Sequence, residues 1–291
     1  MTETDFIEAL RLLPLHPGAR GLADDCAVIE LGGETLVITH DAMIEGRHWL
    51  PAQDMADVAW KLVATNLSDL AAKGAEPIGV LLGHTLGRDD ERFLAGLRDV
   101  LEHYGVPLLG GDTVAGGGAR TLGLTALGRA TCTPVPSRGG AQVSDQVYVT
   151  GRIGAAMLGF EALRDGTGHD ASAYARPMAR LAEGQALAPL ATAMMDISDG
   201  LLLDAFRMAE ASQVSIALAS ASVPLADAAR PLPCMTWGDD YELLFTLPAG
   251  IAPPVAAARM GQVEPRGFAP LFLDGEGVIS AQGLGFVHEQ G

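Results

Sequence analysis

Aspartates at the ends of apolar segments are the residues of this sequence best placed to do chemistry. They stand in GLADDCAVI (Asp24, Asp25), VITHDAMIEG (Asp41), NLSDLAAKG (Asp69), LLGGDT (Asp112) and AMMDISDGLLLD (Asp196, Asp199). A single aspartate at such a place is ordinarily a helix cap or a turn residue. Five segments with the same habit leave two readings: separate caps, or carboxylates converging on one cation cluster. A carboxylate beside a buried strand is costly unless positive charge meets it, and hard divalent cations take such oxygens as ligands. The repetition favours the cluster.

Asp69 sits inside a predicted helix in the run Asn66-Leu67-Ser68-Asp69, mediocre helix formers whose bland reading is a polar outer face. The small residues Ala71, Ala72, Gly74 and Ala75 beside it suit close approach of a ligand or another backbone. Asp196 and Asp199 flank a strand-to-helix junction where Ser198 is expected to cap and to present free N–H groups to phosphate. Gly110-Gly111-Asp112-Thr113 offers the same pairing of bare backbone and carboxylate. Carboxylates mixed with phosphate-friendly backbone suggest a Mg²⁺–nucleotide site. No GxxxxGK[ST] loop and no GxGxxG helix opening is present, so scattered basic residues must meet the phosphates. Arg138, in SRGGAQVSD, is the best-placed arginine, with a solvated linker arginine as its bland alternative. His48 could meet an anion or act as a base; a solvated or core histidine is the competing reading. No Ser-His-Asp or Cys-His order can be defended, so no covalent nucleophile is expected. GDDYELLFT, with its three acids, reads by itself as a polar loop entering a strand.

The elements that must hold these residues alternate between helix and strand. A helix over about 4–13 presents Phe6, Leu10 and Leu13 on one face, and strands at 26–31 and 35–40 flank a Gly32-Gly33 turn. Asp54 and Asp57 open a long helix reaching about Lys73, with Ala56, Ala59, Trp60, Val63, Leu67 and Leu70 at helical spacing. A strand at 77–84, a helix over 89–103, the strand VPLLG and a strand at 120–130 follow. Thr131–Gly140, with two prolines and two glycines, marks a boundary between domains 1–135 and 136–291. Beyond it come the strand QVYVTG, the helix IGAAMLGFEAL, a helical 176–190, the strand AMMDIS, a helix opened by SDGLLLDAFRMAEAS and the strand YELLFTL. The fold class is α/β (α+β), in two mixed domains.

A chain of 291 residues, 48% hydrophobic, can bury a sizeable core. Asp and Glu outnumber Lys and Arg by 36 to 19, for a formal charge of −17, which argues against a nucleic-acid partner and permits divalent cations. No apolar run approaches the roughly 20 residues that span a bilayer, so no membrane association is expected. No basic stretch followed by an apolar run opens the sequence. Cys26, Cys132 and Cys234 are far apart and odd in number, which suits free thiols in a cytoplasmic protein and gives no zinc spacing.

Taken together, GLADDCAVI, THDAMIEGRHW, NLSDLAAKGAEP, LLGGDT, SRGGAQVSDQVYVTG, MMDISDGLLLD and GDDYELLFT resemble, in the same order, the thiamine-monophosphate kinase family within the aminoimidazole ribonucleotide synthetase-like ATP-binding superfamily. The resemblance runs from about residue 21 to 246, and the last two strings separate the kinase from its relatives. It implies a homodimer of two-domain subunits pairing through the N-terminal sheets, with ATP in a cleft between the halves. It implies direct in-line transfer of the γ-phosphoryl to thiamine monophosphate, giving thiamine diphosphate and ADP, with several Mg²⁺ ions neutralising charge.

By the same resemblance, Asp25, Asp41, Asp69, Asp112, Asp196 and Asp199 fall at metal-binding positions, with Thr39 and His40 beside them. Gly111, Asp112, Arg138 and Ser198 match nucleotide contacts, and His48 and Asp239 match acceptor contacts. Leu284 or Phe286 would be the counterpart of an aromatic residue meeting the thiamine ring, with Phe286 preferred. The departures are specific: His40 for Thr, Trp237-Gly238-Asp239 for Gly-Gly-Glu, Ala23 for Gly and Lys73 for Met. They cluster on the acceptor side. A relative acting on a different acceptor, or a binding protein without turnover, is the alternative reading. A hydrogenase-maturation relative is disfavoured because HEQG replaces a terminal Cys.

Overall fold

A computed structural model describes residues 3–286 of the chain. The N-terminal half builds a five-stranded sheet in the order β1-β2-β5-β3-β4 from β1 (Ala27–Leu31), β2 (Glu34–Ile44), β3 (Ala75–Leu86), β4 (Leu108–Ala115) and β5 (Thr121–Ala130). All neighbours pair antiparallel except β3 and β4. Helices α2 (Met55–Ala72) and α3 (Asp90–Tyr104) belong to this half, and β2 and β5 pack against α2. The other face is open: His40, Ile44 and Leu81 stand exposed on it, and β4 is exposed along its length. The alternation of β2 decides which residues face which way, with Thr39 and Met43 buried and His40 and Ile44 outward.

The C-terminal half holds a seven-stranded sheet in the order β12-β11-β8-β10-β6-β9-β7. Its strands are β6 (Gln146–Val149), β7 (Ala193–Asp196), β8 (Ser215–Leu218), β9 (Leu243–Leu247), β10 (Ala258–Glu264), β11 (Leu271–Leu273) and β12 (Glu276–Val278). Helices α4 (Ala155–Asp165), α7 (Leu201–Ser212) and α8 (Pro231–Thr236) accompany it, with the short α5 (Ser172–Ala175) and α6 (Leu181–Leu187). Strands β7 and β9 are buried throughout, which explains their mostly apolar runs, with Asp196 and Thr246 as the polar residues buried among them.

Helix α2 joins the halves. Asp54 caps it by accepting a hydrogen bond from the Ala56 N–H, and it packs on β2, β3 and β5 on one side and on α6 and β7 on the other. Sixteen of its eighteen residues are buried, so it lacks the solvent-facing stripe of an ordinary surface helix. The polar outer face that the sequence allowed for Asn66, Ser68 and Asp69 does not exist: Asn66 and Asp69 hydrogen-bond to β2, and Ser68 hydrogen-bonds to Asp196 of the C-terminal half.

Three local expectations fail. The first helix, α1, spans Glu3–Leu10 and leaves Phe6 exposed, with Leu13 beyond its end exposed as well. Of the helix expected over 176–190 only α6 forms; α5 ends at Ala175, before that span, and Pro177 lies in the non-helical stretch between the two. Helix α7 begins at Leu201 with Gly200 as its N-cap, so Ser198 lies outside it and caps nothing, and Asp204 occupies the first turn. The three cysteines are free. Among the described residues no helix is long and apolar enough to cross a membrane.

Candidate functional site

A cleft of about 620 Å³ opens between the two halves. Along its floor α2 presents Lys61, Thr65 and Asp69, with Lys73 just past its end; the three four-residue steps between them span roughly 18 Å. This four-residue spacing was present in the sequence, masked there by the apolar positions interleaved with it.

Asp69 and Asp196 line the cleft, and with Asp25 beside them each brings a carboxylate oxygen within 4.8 Å of the others. Thr39 Oγ1 donates to Asp69 Oδ2, and Ser68 Oγ donates to Asp196 Oδ2 at 2.6 Å. Asp41 lines the same cleft, its backbone N–H donating to Asn66 Oδ1. No lysine or arginine among the described residues pairs with Asp41, Asp69 or Asp196. Desolvation in the cleft, then the neighbouring carboxylates, push Asp69 well above the ordinary carboxylate range and Asp196 up to about 8. Burial raises Asp41 likewise. Such a set of hard oxygens carrying unmatched negative charge fits divalent cations.

Asp24 and Asp25 are the opposite case. Lys73 Nζ, wholly buried, lies 2.6 Å from Asp24 Oδ1 and 2.6 Å from Asp25 Oδ2. Arg20 pairs with Asp24 at 2.5 Å, and Arg138 pairs with Asp25. Burial works against the Asp25 carboxylate, but Lys73 and Arg138 outweigh it and hold its pKa well below the usual range. The Arg138 Nε is buried without a partner.

Raised carboxylates carry a pH consequence. A group that is protonated more readily when folded makes stability fall as pH rises between its unfolded and folded pKa values. For Asp196 that window runs from about 3.8 to about 8. Burial also lifts Asp204 and Asp240, each to about 7, in the same direction. Between pH 5 and 8 the Tm in EDTA is expected to drop by roughly 5 °C or more, and Mg²⁺ to flatten the profile. A Tm that holds steady in EDTA would contradict this electrostatic picture.

The far end of the cleft is built around Asp239. Lys61, also buried, donates to Asp239 Oδ2 at 2.7 Å and to the His48 carbonyl at 3.1 Å, and it sits 3.7 Å from the Tyr174 ring centroid. Tyr241 Oη donates to Asp239 Oδ1 at 2.8 Å. Asp239 and Tyr241 both adopt left-handed φ, 59° and 51°, held by backbone bonds to the Ser198 and Ile197 carbonyls. Gly238 between the two loops has φ 117°, and a Cβ there would lie 2.6 Å from the Ser198 carbonyl. Phe160, Tyr174, Trp237 and Phe286 add an aromatic wall. His48 Nδ1 accepts from the Ile44 N–H, which places the proton of a neutral ring on Nε2. Of the two C-terminal candidates, Phe286 lines the cleft, while Leu284 is buried in the C-terminal core.

Ser198 and Asp199 also line the cleft; Asp199 pairs with Arg207. Two predicted metal residues are not brought into the cluster within this chain. His40 turns its ring to the open face of the sheet, with Nδ1 2.9 Å from Thr125 Oγ1. Asp112 stands on the exposed strand β4, where its carboxylate accepts from the Thr113 N–H. Its neighbour Gly111 has φ 151°, and a Cβ there would meet the Leu82 carbonyl at 1.9 Å, so β4 approaches β3 only because that residue is glycine. The sequence reading missed Lys61, Ser68, Tyr174 and Tyr241, and gave Lys73 no role.

Residues 23–130 match the N-terminal domain, and 142–270 the C-terminal domain, of AIR synthase related proteins. The chain is 38% identical over 252 residues to thiamine-monophosphate kinase of Escherichia coli K12, covering 78% of this chain and 76% of that one. Over 98% of this chain and 91% of the relative it is 36% identical to thiamine-monophosphate kinase of Caulobacter vibrioides. Its fold superposes on the structure of AaThiL complexed with AMPPCP and TMP with a TM-score of 0.86, 27% identity, and coverage of 99% and 97%. With two matched domains in order and relatives aligned over most of their length, this chain belongs to the thiamine-monophosphate kinase family.

Proposed function

We propose that this protein transfers the γ-phosphoryl of ATP to thiamine monophosphate, giving thiamine diphosphate and ADP, with Mg²⁺ held by the central carboxylates. The observation that carries the reading is one cleft joining unmatched carboxylates to an aromatic-walled pocket with an oriented acid. The structural relative with AMPPCP, an ATP analogue, and TMP supports the same pairing of substrates.

In-line phosphoryl transfer asks a protein for positioning and charge neutralisation. Asp25, Asp41, Asp69 and Asp196 are the residues that would hold Mg²⁺, which when bound neutralises the phosphate oxygens and polarises the transferred group. Thr39 and Ser68 fix the carboxylate oxygens of Asp69 and Asp196. Arg138, with one orphaned N–H, supplies a permanent positive charge for the phosphates. Asp239, steadied by Lys61 and Tyr241, offers an anion to the cationic and N–H-rich rings of the acceptor, and the aromatic wall excludes water. Further carried-over positions are His40, Asp112 and Asp199 for metal, Gly111, Asp112 and Ser198 for nucleotide, and His48 and Phe286 for acceptor. A homodimer across the open sheet face would cover His40, Ile44, Leu81 and β4. The division near residue 135 would give each half one wall of the cleft, and the three free thiols suit a cytoplasmic enzyme.

A coupled assay for ADP and thiamine diphosphate, omitting ATP, Mg²⁺ or thiamine monophosphate in turn, tests the reading; turnover that survives any omission refutes it. Asp239→Asn, like His48→Ala, is expected to raise the acceptor KM roughly tenfold, about 1.4 kcal/mol, with the ATP KM unchanged. An equal rise in both constants would remove these residues from the acceptor pocket.

A further inference from the structure

We infer that the Lys73 ammonium is a resident cation of the carboxylate cluster, filling a position that a divalent ion would otherwise take. The inference rests on the reading of the neighbouring aspartates as Mg²⁺ ligands. Lys73 is the residue that ends α2, and its side chain is wholly inaccessible to solvent. Its Nζ meets Asp24 Oδ1 at 2.6 Å, Asp25 Oδ2 at 2.6 Å and the Met194 carbonyl at 3.2 Å. Three oxygens from two segments, two of them carboxylate oxygens, make the hard donor set that a small cation takes. An ammonium has three donors and no acceptor, so these three oxygens satisfy it.

The charges around it divide the cluster. Asp24 and Asp25 meet three built-in cations, Lys73, Arg20 and Arg138, whereas Asp41, Asp69 and Asp196 pair with no lysine or arginine among the described residues. Both oxygens of Asp25 are engaged, one by Lys73 and one by Arg138. Arg138 is partly exposed and has an orphaned Nε, so it can exchange Asp25 for a phosphate. Lys73 is sealed in and fully engaged. It therefore neutralises the Asp24–Asp25 corner whatever the free ion concentration, and the mobile ions gather on the Asp69–Asp196 side.

The test is a nucleotide-free titration with Mn²⁺, counting bound ions from the loss of the free-ion EPR signal, on wild type, Lys73→Met and Lys73→Gln. Methionine retains the unbranched stem, and glutamine retains polar contacts to the same oxygens. Each neutral variant is expected to bind one more Mn²⁺ per chain than wild type and to lose thermal stability in EDTA that Mn²⁺ restores. Equal counts in wild type and a folded variant overturn the role of Lys73 and leave the cluster reading standing. No binding by any of the three overturns both. A variant that stays unfolded even with Mn²⁺, while the other folds and gains no ion, also overturns the role of Lys73.

Discussion

An Asp69→Asn enzyme is expected to fold as the native chain does and to turn over roughly 10³-fold more slowly at saturating ATP and Mg²⁺. Asn matches Asp in size and keeps an oxygen for the Thr39 hydroxyl, so the packing of α2 is preserved. What disappears is one negative charge at the centre of the carboxylate group, within 4.8 Å of both Asp25 and Asp196. The same substitution is expected to raise the Tm in EDTA by a few degrees, on the order of 1–2 kcal/mol, because it relieves desolvation and like-charge repulsion at a raised carboxyl. Opposite signs for activity and metal-free stability distinguish a ligand from a packing residue. Near-normal kcat at saturating Mg²⁺ would take Asp69 out of the site.

Arg138→Ala carries the second large effect. The guanidinium is held on Asp25, stays charged throughout the working pH range, and keeps one N–H buried without a partner. An ATP phosphate beside it would fill that vacancy in its hydrogen bonding. Removing it is expected to raise the ATP KM at least tenfold and to lower kcat roughly 10²-fold, leaving the acceptor KM within about twofold. Arg138→Lys should recover part of kcat, since it restores the charge without the planar fork. If the ATP KM does not move, Arg138 is only a counter-ion for Asp25, and the loss should then show as lower stability.

Much of the frame was legible locally. The Asp54 cap and the break at Gly105 bound α2 and α3 near where spacing put them, whereas Thr39 and His40, taken together as neighbours of the metal site, are sorted only by β2, which buries one and turns the other outward. The segments bearing Asp25, Asp69 and Asp196 could be picked out because acids there interrupt small or apolar runs. The junction at Ser198 was misread because Ser and Asp cap well in general, whereas here Gly200 at φ 120° turns the chain into α7.

By itself, then, the sequence determined most of the helices and strands up to about residue 212 and the strand at 243–247, and it marked candidate acids for a shared cation, but it did not show β8, α8 or the strands after 247. Those are properties of neighbours along the chain, where caps, turns and side-chain periods act. Only the tertiary structure decided which acids are already neutralised. Lys73 reaches Asp25 across 48 positions, Arg138 reaches it across 113, and Lys61 reaches Asp239 across 178. Coulombic and hydrogen-bond energies depend on separation in space and on desolvation, and α2 acquires both only when it is buried between the two halves. His40 and Asp112 show the same dependence in reverse: their place in the sequence suggests the cluster, but the sheet turns one ring to its open face and leaves the other carboxylate on an exposed strand.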